Sequence, residues 1–177
     1  VDDTTLNILD QTEEGLGAIV GNDQAVAKGG VLYIFGGAEV NLYSGRLVGT
    51  TLPASGGTIL IASKGTMNMH GGVVVGGTCS VDKTHGGNIY NNGTLNIYGG
   101  TITGGATDGY AGYGGNIYNS EVLNMYGGVI EDGESHHYGG NVFTGNGAKF
   151  NLYGGIVQNG KCTQGVRPDG TAYVGNG

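Results

Sequence analysis

Tryptophan is missing from the 177-residue sequence, proline occurs only twice, and seven Lys and Arg residues stand against fourteen Asp and Glu. The resulting formal charge of −7 argues against nucleic acid and anionic membranes as partners, because both require clustered cations. No segment comes near the roughly 20 consecutive apolar residues of a membrane helix, so membrane insertion is not expected. Scarce proline and the lack of a Gly-X-Y period exclude a collagen-like fibre.

Glycine, in contrast, is abundant, with 41 residues, and hydrophobic residues still make up 38% of the chain. The apolar residues alternate regularly with polar ones, which argues against a flexible linker. The phrase "GGNIYNNGTLNIYGG" at 86–100 returns as "GGNIYNSEVLNMYGG" at 114–128 and as "GGNVFTGNGAKFNLYGG" at 139–155. This combination indicates a repeat protein whose corners need glycine.

Two independent anchors define the length of the repeat. The asparagine of each "LNIY"-like phrase advances in steps of 27, 28, 28 and 27 residues, at Asn41, Asn68, Asn96, Asn124 and Asn151. Paired glycines open the repeats at positions 29, 56, 86, 114 and 139. A period of about 28 residues predicts a solenoid, and Asn7 is a further member 34 residues upstream of Asn41.

The residues on either side of each of these asparagines are apolar, as Leu95 and Ile97 are around Asn96. Alternation with a period of two predicts a strand with the apolar pair inside and the asparagine outside. Two more strands are indicated in each repeat, with Ile89 and Ile102 as inward residues. The sequence therefore predicts an all-β fold, a single-stranded parallel β-helix (β-solenoid) with three short strands per coil of about 28 residues.

The two ends of the chain fit the repeat differently. Residues 1–28 are more acidic and are predicted to form an N-terminal capping segment, because the open edge of a solenoid must be blunted. Residues 29–177 are assigned to the β-helix repeats. The last ten residues, "PDGTAYVGNG", align with "HGGNIYNNG", the start of a fresh repeat. We therefore expect the chain to be a fragment of a longer protein, although a ragged tail is an equal alternative.

The pattern "GGNIY…LNIYGGTITGG" resembles the repeats of right-handed parallel β-helix proteins of the pectate-lyase-like superfamily, especially repetitive extracellular surface proteins of bacteria. The resemblance covers roughly residues 29–160 and is confined to the repeat pattern. It implies a right-handed coil and an extracellular or cell-surface location. The nonapeptide calcium repeat "GGxGxDxxx" is absent, so a calcium-loaded β-roll is not implied.

Two cysteines occupy the same position of the repeat, because Cys79 and Cys162 each lie eleven residues past a ladder asparagine. Thr107 and Ser135 lie between them in the same column, so the two cysteines are three coils apart. That separation is about 14 Å, beyond the Cα distance of roughly 4.4–6.8 Å in a disulfide. We therefore expect two structural thiols and no disulfide between them.

Stacked asparagines can hydrogen-bond to one another along the axis of a solenoid. This structural role is expected for Asn41, Asn68, Asn96, Asn124 and Asn151, and a second column of Asn88, Asn116 and Asn141 is expected to act likewise at a corner.

An aromatic column follows two residues after each ladder asparagine and is predicted to point outward; its members are Tyr43, His70, Tyr98, Tyr126 and Tyr153. These rings could simply stabilise the rungs by stacking on one another. Alternatively, they could bind a glycan or a protein, with Tyr98, Tyr126 and Tyr153 as successive stacking platforms for sugar rings. The residues alone leave both interpretations open.

Two loops in adjacent coils, 107–113 and 131–138, contain the remaining polar residues that could form a site. Carboxylates accompany the histidines and tyrosines there, and the candidate binding residues are Tyr110, Tyr113, His136, His137 and Tyr138. Histidines beside carboxylates could hold a metal or act in acid–base chemistry. Adjacent histidines are not an established ligand spacing, so no metal, cofactor or catalytic residue is predicted, and solvated loops are the alternative.

The choice between an enzyme and a scaffold rests on the strand faces. The repeats resemble those of the pectate-lyase-like superfamily, whose polysaccharide lyases are expected to need a calcium-binding carboxylate cluster and a basic residue. Hydrolases of the same fold are expected to need clustered aspartates. The repeat columns here contain asparagine, tyrosine, threonine and apolar residues instead. We expect a non-catalytic extracellular binding or adhesion module of a bacterial surface or secreted protein. The alternatives are a polysaccharide-degrading enzyme and a purely structural spacer rod.

Overall fold

A computed structural model describes residues 4–12, 15–22 and 28–163 of the chain. Within these ranges the protein contains 22 short strands, no helix, and four parallel sheets stacked along one axis. The result is a β-solenoid of about five turns with about 28 residues per coil, which confirms the predicted fold class. None of the described residues forms a helix that is long and apolar enough to span a membrane.

Each coil passes through the four sheets in a constant order, which we number I to IV. Sheet I contains β3 (Leu32–Ile34), β7 (Ile59–Ile61), β11 (Ile89–Asn91), β15 (Ile117–Asn119) and β19 (Val142–Thr144). Sheet II contains β1 (Thr5–Ile8), β4 (Glu39–Leu42), β8 (Thr66–Met69), β12 (Thr94–Ile97), β16 (Val122–Met125) and β20 (Lys149–Leu152).

Sheet III contains β2 (Ala18–Val20), β5 (Arg46–Val48), β9 (Val73–Val75), β13 (Thr101–Thr103), β17 (Val129–Glu131) and β21 (Ile156–Gln158). Sheet IV contains β6 (Thr51–Leu52), β10 (Thr78–Cys79), β14 (Ala106–Thr107), β18 (Glu134–Ser135) and β22 (Lys161–Cys162). The sequence indicated three strands per coil, and the structure adds the two-residue strands of sheet IV. Two residues are too few to produce a recognisable alternation, so this sheet is visible only through its pairing.

The interior of the solenoid is filled by columns of apolar side chains, one from each coil. Sheet register aligns Leu95 with Met67 and Leu123, and Ile97 with Met69 and Met125. All six of these side chains are completely buried, as are Ile89 and Ile102 from the neighbouring sheets. The inward and outward positions predicted from alternation are therefore confirmed for the central coils.

Glycine serves a steric purpose where one coil crosses directly over another. Gly100 has a φ of +87°, and a Cβ atom at this position would lie 2.6 Å from the carbonyl oxygen of Gly72 in the coil before it. Both the left-handed backbone and the close approach exclude a larger residue. The repeated "YGG" phrase thus marks the corner between sheets II and III.

The N-terminal segment predicted as a cap contributes two strands to the solenoid. Strand β1 pairs in parallel with β4, and β2 pairs in parallel with β5. Asn7 takes its place opposite Asn41 in this register, as its spacing predicted. At the other end, the segment 168–177 that was compared with a fresh repeat lies outside the described residues.

The two cysteines occupy the column predicted for them. Cys79 pairs with Thr107, Thr107 with Ser135, and Ser135 with Cys162 along sheet IV. No disulfide joins Cys79 and Cys162. Burial raises the pKa of the Cys79 thiol to about 12, so this side chain stays protonated and packs as a small apolar group.

Candidate binding face

The asparagines on the outside of sheet II form a continuous chain of side-chain hydrogen bonds, which we call the outer amide ladder. In every coil the Nδ2 atom donates to the Oδ1 atom of the asparagine in the preceding coil. The distances are 3.0 Å for Asn41 to Asn7, 2.9 Å for Asn68 to Asn41, and 2.8 Å for Asn96 to Asn68, Asn124 to Asn96 and Asn151 to Asn124. The predicted ladder is confirmed.

The ladder leaves part of the Asn96 amide unused, whereas Asn68 donates its second N–H to Glu39 Oε1 at 3.1 Å. Asn96 donates one N–H to Asn68 and accepts one bond from Asn124. A primary amide has two donors and two acceptor sites, so Asn96 keeps one of each. Its side chain is half-buried on the outer surface of the sheet, where these groups can reach solvent or a ligand.

A second column of asparagines, the corner ladder of Asn88, Asn116 and Asn141, lies inside the molecule. The Nδ2 atom of Asn116 donates to Asn141 Oδ1 at 2.8 Å and to the carbonyl of Glu131 at 2.7 Å. Its Oδ1 atom accepts from Asn88 Nδ2 at 2.7 Å and from the Gly105 N–H at 2.9 Å. Every hydrogen-bonding position of the Asn116 amide is occupied, and the residue is completely buried. This ladder is therefore structural.

Sequence reasoning missed a third pair, Asn91 and Asn119, which are also completely buried. Asn91 Nδ2 donates to Asn119 Oδ1 at 2.8 Å and to the carbonyl of Val122 at 2.9 Å. The signal was present, because Asn91 lies two residues after inward Ile89 and so shares its side of the strand. A polar residue such as Asn91 at an inward position, followed by a turn, could therefore have indicated a buried asparagine.

Five aromatic rings, Tyr43, His70, Tyr98, Tyr126 and Tyr153, form a second continuous feature beside the outer amide ladder, which we call the ring column. Successive ring centroids are separated by 4.7, 5.0, 5.0 and 4.9 Å, with interplanar angles of 7°, 8°, 6° and 11°. The rings are exposed, by 44% at Tyr43, 46% at Tyr98 and Tyr126, and 68% at Tyr153. Outward orientation is thus confirmed for the entire column.

The stacking geometry determines which parts of the rings a ligand can reach. The faces of Tyr98 are covered by His70 on one side and by Tyr126 on the other. Van der Waals contact requires about 3.5–4.0 Å, so a sugar ring between two of these rings would need a separation of about 7–8 Å. The interior rings therefore present their edges and hydroxyl groups, and the expected stacking of sugars on the faces of Tyr98 and Tyr126 does not fit.

The central part of this surface carries no formal charge. Strands β8, β12 and β16 place Thr66, Thr94 and Val122 in the column on the other side of the outer amide ladder. The charged members of that column, Glu39 and Lys149, lie in the coils on either side of these three. We call the ring column and the outer amide ladder together the binding face.

The predicted loop residues lie elsewhere, after sheet IV, and most of them pack together. Tyr113 stacks on His137 at 5.3 Å and on Tyr138 at 5.6 Å, and it also contacts His85 at 4.8 Å and Phe143 at 4.8 Å. We call these residues, together with Tyr118, the loop aromatic cluster. His137 is buried, with 6% exposure. The loop residues are therefore mainly packing elements.

The other two predicted loop residues, Tyr110 and His136, make an edge-to-face contact. Their ring centroids are 6.1 Å apart, and the interplanar angle is 64°. Among the described residues, no group of three or more His, Cys, Asp or Glu side chains is arranged to hold a metal ion. The structure thus brings the loop residues together around tyrosine rings rather than around carboxylates.

Burial shifts two titrations within the loop aromatic cluster. It lowers the pKa of His85, whose imidazole stacks on Tyr113 and Tyr118 at 4.8 and 4.6 Å, against a smaller opposing effect of a backbone hydrogen bond. It also raises the pKa of Tyr118, with smaller contributions in the same direction from Tyr90 and Tyr113. Both shifts favour the neutral forms, as expected for desolvated rings.

Two concave surfaces lie at the ends of the part of the solenoid that the structure describes. One is lined by Leu6, Ile8 and Ile19, and the other by Val142, Phe150 and Val157. Neither contains a residue of the ring column. The binding face is instead a long surface that suits an extended partner.

No protein-family model, no curated protein and no solved structure matches the chain. The parallel β-solenoid is therefore established by the structure itself, and the resemblance to bacterial surface proteins of the pectate-lyase-like superfamily supplies only expectations about location and role.

Proposed function

We propose that this chain is a non-catalytic extracellular binding or adhesion module of a bacterial surface or secreted protein. Its partner, a glycan or a protein, is engaged by the binding face. The observation that carries the proposal is the exposed ring column, which stacks without interruption over five coils.

Exposed tyrosines beside amides favour recognition over a purely internal role. Tyrosine combines a large apolar area with a polar hydroxyl, and such residues are enriched where proteins bind partners. The same two side chains, asparagine and the tyrosine two residues after it, recur in four of the coils, at Asn41, Asn96, Asn124 and Asn151. Several weak contacts made in series gain affinity through multivalency, provided that the partner is extended.

The spacing of two carboxylates on the outer strand faces argues against a catalytic role for this pair. Glu39 and Glu131 are carboxylates on two different sheets, three coils apart along the axis. Glycoside hydrolysis requires two carboxyl groups about 5–10 Å apart across one bond. Three coils amount to about 14 Å, which is too far for this pair to act together.

A glycan array and polysaccharide pull-down tests the proposal. We expect the wild-type protein to bind and a Tyr98→Ala/Tyr126→Ala variant to bind clearly less. The matched control is Thr51→Ala/Glu134→Ala, which changes two exposed outward residues of sheet IV. Folding of each variant is checked by circular dichroism and thermal melting.

Three outcomes would contradict the proposal. Equal binding by the tyrosine variant would make the ring column a structural feature only. If neither glycans nor isolated cell-surface proteins bind the wild type, a spacer rod takes its place. Release of reducing ends or unsaturated products from a polysaccharide would indicate the enzyme alternative.

A further inference from the structure

We infer that the ligand of the binding face is a neutral polysaccharide that lies along the solenoid axis and is held by tyrosine hydroxyls and asparagine amides at the ring edges. This inference rests on the proposed function and specifies its ligand. It differs from the usual expectation for exposed tyrosines, in which sugar rings stack on aromatic faces.

The covered ring faces are the first step. His70, Tyr98 and Tyr126 each have a neighbouring ring on both sides, at 4.7–5.0 Å. Opening one of these stacks for a sugar would separate the strands beneath, which are held by continuous parallel pairing. A ligand of this surface is therefore restricted to the outer edges of the interior rings.

The groups left at those edges are hydrogen-bonding groups. Within the described part of the chain, the hydroxyls of Tyr98 and Tyr126 have no protein partner, and each can donate one bond and accept others. Asn96 and Asn124 each retain one amide N–H and one acceptor site after the ladder bonds are made. One coil thus offers two donors together with acceptors, which matches the chemistry of sugar hydroxyls.

The charge distribution favours a neutral chain over an acidic one. The outward residues of β8, β12 and β16 and the rings that follow them include no Asp, Glu, Lys or Arg. The net charge of −7 repels polyanions at long range, and no cation at the centre of the face compensates for it. A neutral polysaccharide is not repelled by the net charge and needs no cation on the face to bind.

The spacing of the groups favours an orientation along the axis. Parallel pairing repeats the tyrosine and asparagine pair in the three successive coils of Asn96, Asn124 and Asn151, about 4.8 Å apart. A chain that runs along the axis contacts several coils, whereas a chain that crosses it contacts only one. Multivalent engagement therefore requires the axial orientation.

The test uses a Tyr98→Phe/Tyr126→Phe variant, which keeps both rings and removes only the hydroxyls. Its control is Tyr33→Phe/Tyr90→Phe on sheet I, which makes the same chemical change away from the binding face. Binding of three soluble probes, a mannan, a neutral β-glucan and the acidic polygalacturonate, is measured by biolayer interferometry on the immobilised 177-residue chain.

We expect at least one neutral probe to bind the wild type and the control equally. Loss of two neutral hydrogen bonds should weaken binding to the Tyr98→Phe/Tyr126→Phe variant by at least about fivefold. An Asn96→Ala variant should weaken binding as well, because it removes the amide beside Tyr98.

Two results would overturn this inference while leaving the proposed function intact. Unchanged binding by the double phenylalanine variant, with loss on Tyr98→Ala/Tyr126→Ala, would restore ring contact as the mode of recognition. Preferential binding of polygalacturonate would refute a neutral ligand. If no polysaccharide binds the wild type, the inference fails, and a protein partner for the same face is the outcome that remains for the proposed function.

Discussion

The two asparagine ladders of this molecule use the same side chain once per coil, but they differ in burial and in the number of hydrogen bonds that each amide makes. Asn116 in the corner ladder is completely buried and makes four hydrogen bonds. Asn96 in the outer amide ladder is half-buried and makes two, both to other ladder asparagines. The difference is what surrounds each amide, since the corner supplies the Gly105 N–H and the Glu131 carbonyl in addition to the neighbouring asparagines.

This comparison shows how one residue type can serve stability and recognition in the same coil. A buried amide is tolerated only when all its polar positions have partners, so the corner ladder locks the path of the backbone. An amide on the outside can leave positions to water at little cost, so the outer amide ladder keeps hydrogen-bonding capacity for a ligand. Four expected outcomes test this contrast.

The largest effect is expected when an asparagine is placed inside without the corner's partners. In Ile97→Asn the new amide replaces a completely buried side chain that is aligned with Met69 and Met125. Lost packing and an unpaired buried amide together should reduce the free energy of unfolding by on the order of 4 kcal/mol or more. Urea denaturation measures this, with Thr103→Asn on the outside of β13 as a control that should be nearly silent. Equal effects of the two substitutions would contradict the assigned strand orientation.

The second effect compares the ladders directly. Asn116→Ala removes four hydrogen bonds and leaves the Gly105 N–H and the Glu131 carbonyl buried without this partner, so we expect a loss on the order of 3 kcal/mol. Asn96→Ala removes two bonds at the surface and should cost about 1 kcal/mol or less. Both are measured by urea denaturation. Similar losses for the two variants would mean that position inside or outside does not decide the role of the amide.

A smaller effect is expected in the ring column. Tyr98→Ala removes contacts with His70 and Tyr126 on an exposed surface and should reduce stability by about 1 kcal/mol. Tyr98→Phe keeps the stack and should melt like the wild type. If the phenylalanine variant were as unstable as the alanine variant, the hydroxyl would have a structural role and would not be reserved for a ligand.

The smallest effect concerns pH and the loop aromatic cluster. Burial lowers the pKa of His85 in the folded protein, so the unfolded state binds the proton more readily. The contribution of this histidine to stability is fully present above its ordinary pKa of about 6.5 and decreases as the pH falls below that value. The free energy of unfolding, measured between pH 7.5 and pH 5, should decline less in His85→Phe, which keeps a ring in contact with Tyr113 and Tyr118. An identical decline in both proteins would assign the effect to other groups.

Much of the fold could be predicted because the same pattern of apolar and polar residues occurs in every repeat. The inward pair around Asn96 has apolar counterparts in every coil, so period-two alternation was unambiguous and placed both faces of sheet II correctly in the central coils. The register of Cys79 with Thr107 and Ser135 followed from counting residues along equal coils. Sheet IV was missed because two-residue strands do not alternate, and Asn91 was missed because an asparagine near a turn is ordinarily read as a turn residue.

The candidate site was predictable as a set of columns but not as a surface. Counting along the repeat placed Tyr98 above His70 and below Tyr126, whereas the distances and angles between the rings depend on how the coils stack. For the same reason, the loop residues Tyr113 and His137 could be listed as neighbours, but their packing around shared rings could not be foreseen.

The coil length, the inside and the outside of the main strands, and the membership of each column can be deduced from the amino-acid sequence. These features depend on local periodicity, which is a property of the covalent chain and repeats in every coil. It is apparent only in the folded molecule that the rings cover one another's faces, that the Asn116 amide uses every hydrogen-bonding position, and that the Asn96 amide does not. Those outcomes depend on which groups of neighbouring coils come within hydrogen-bonding or van der Waals distance, and that proximity arises only when the coils stack.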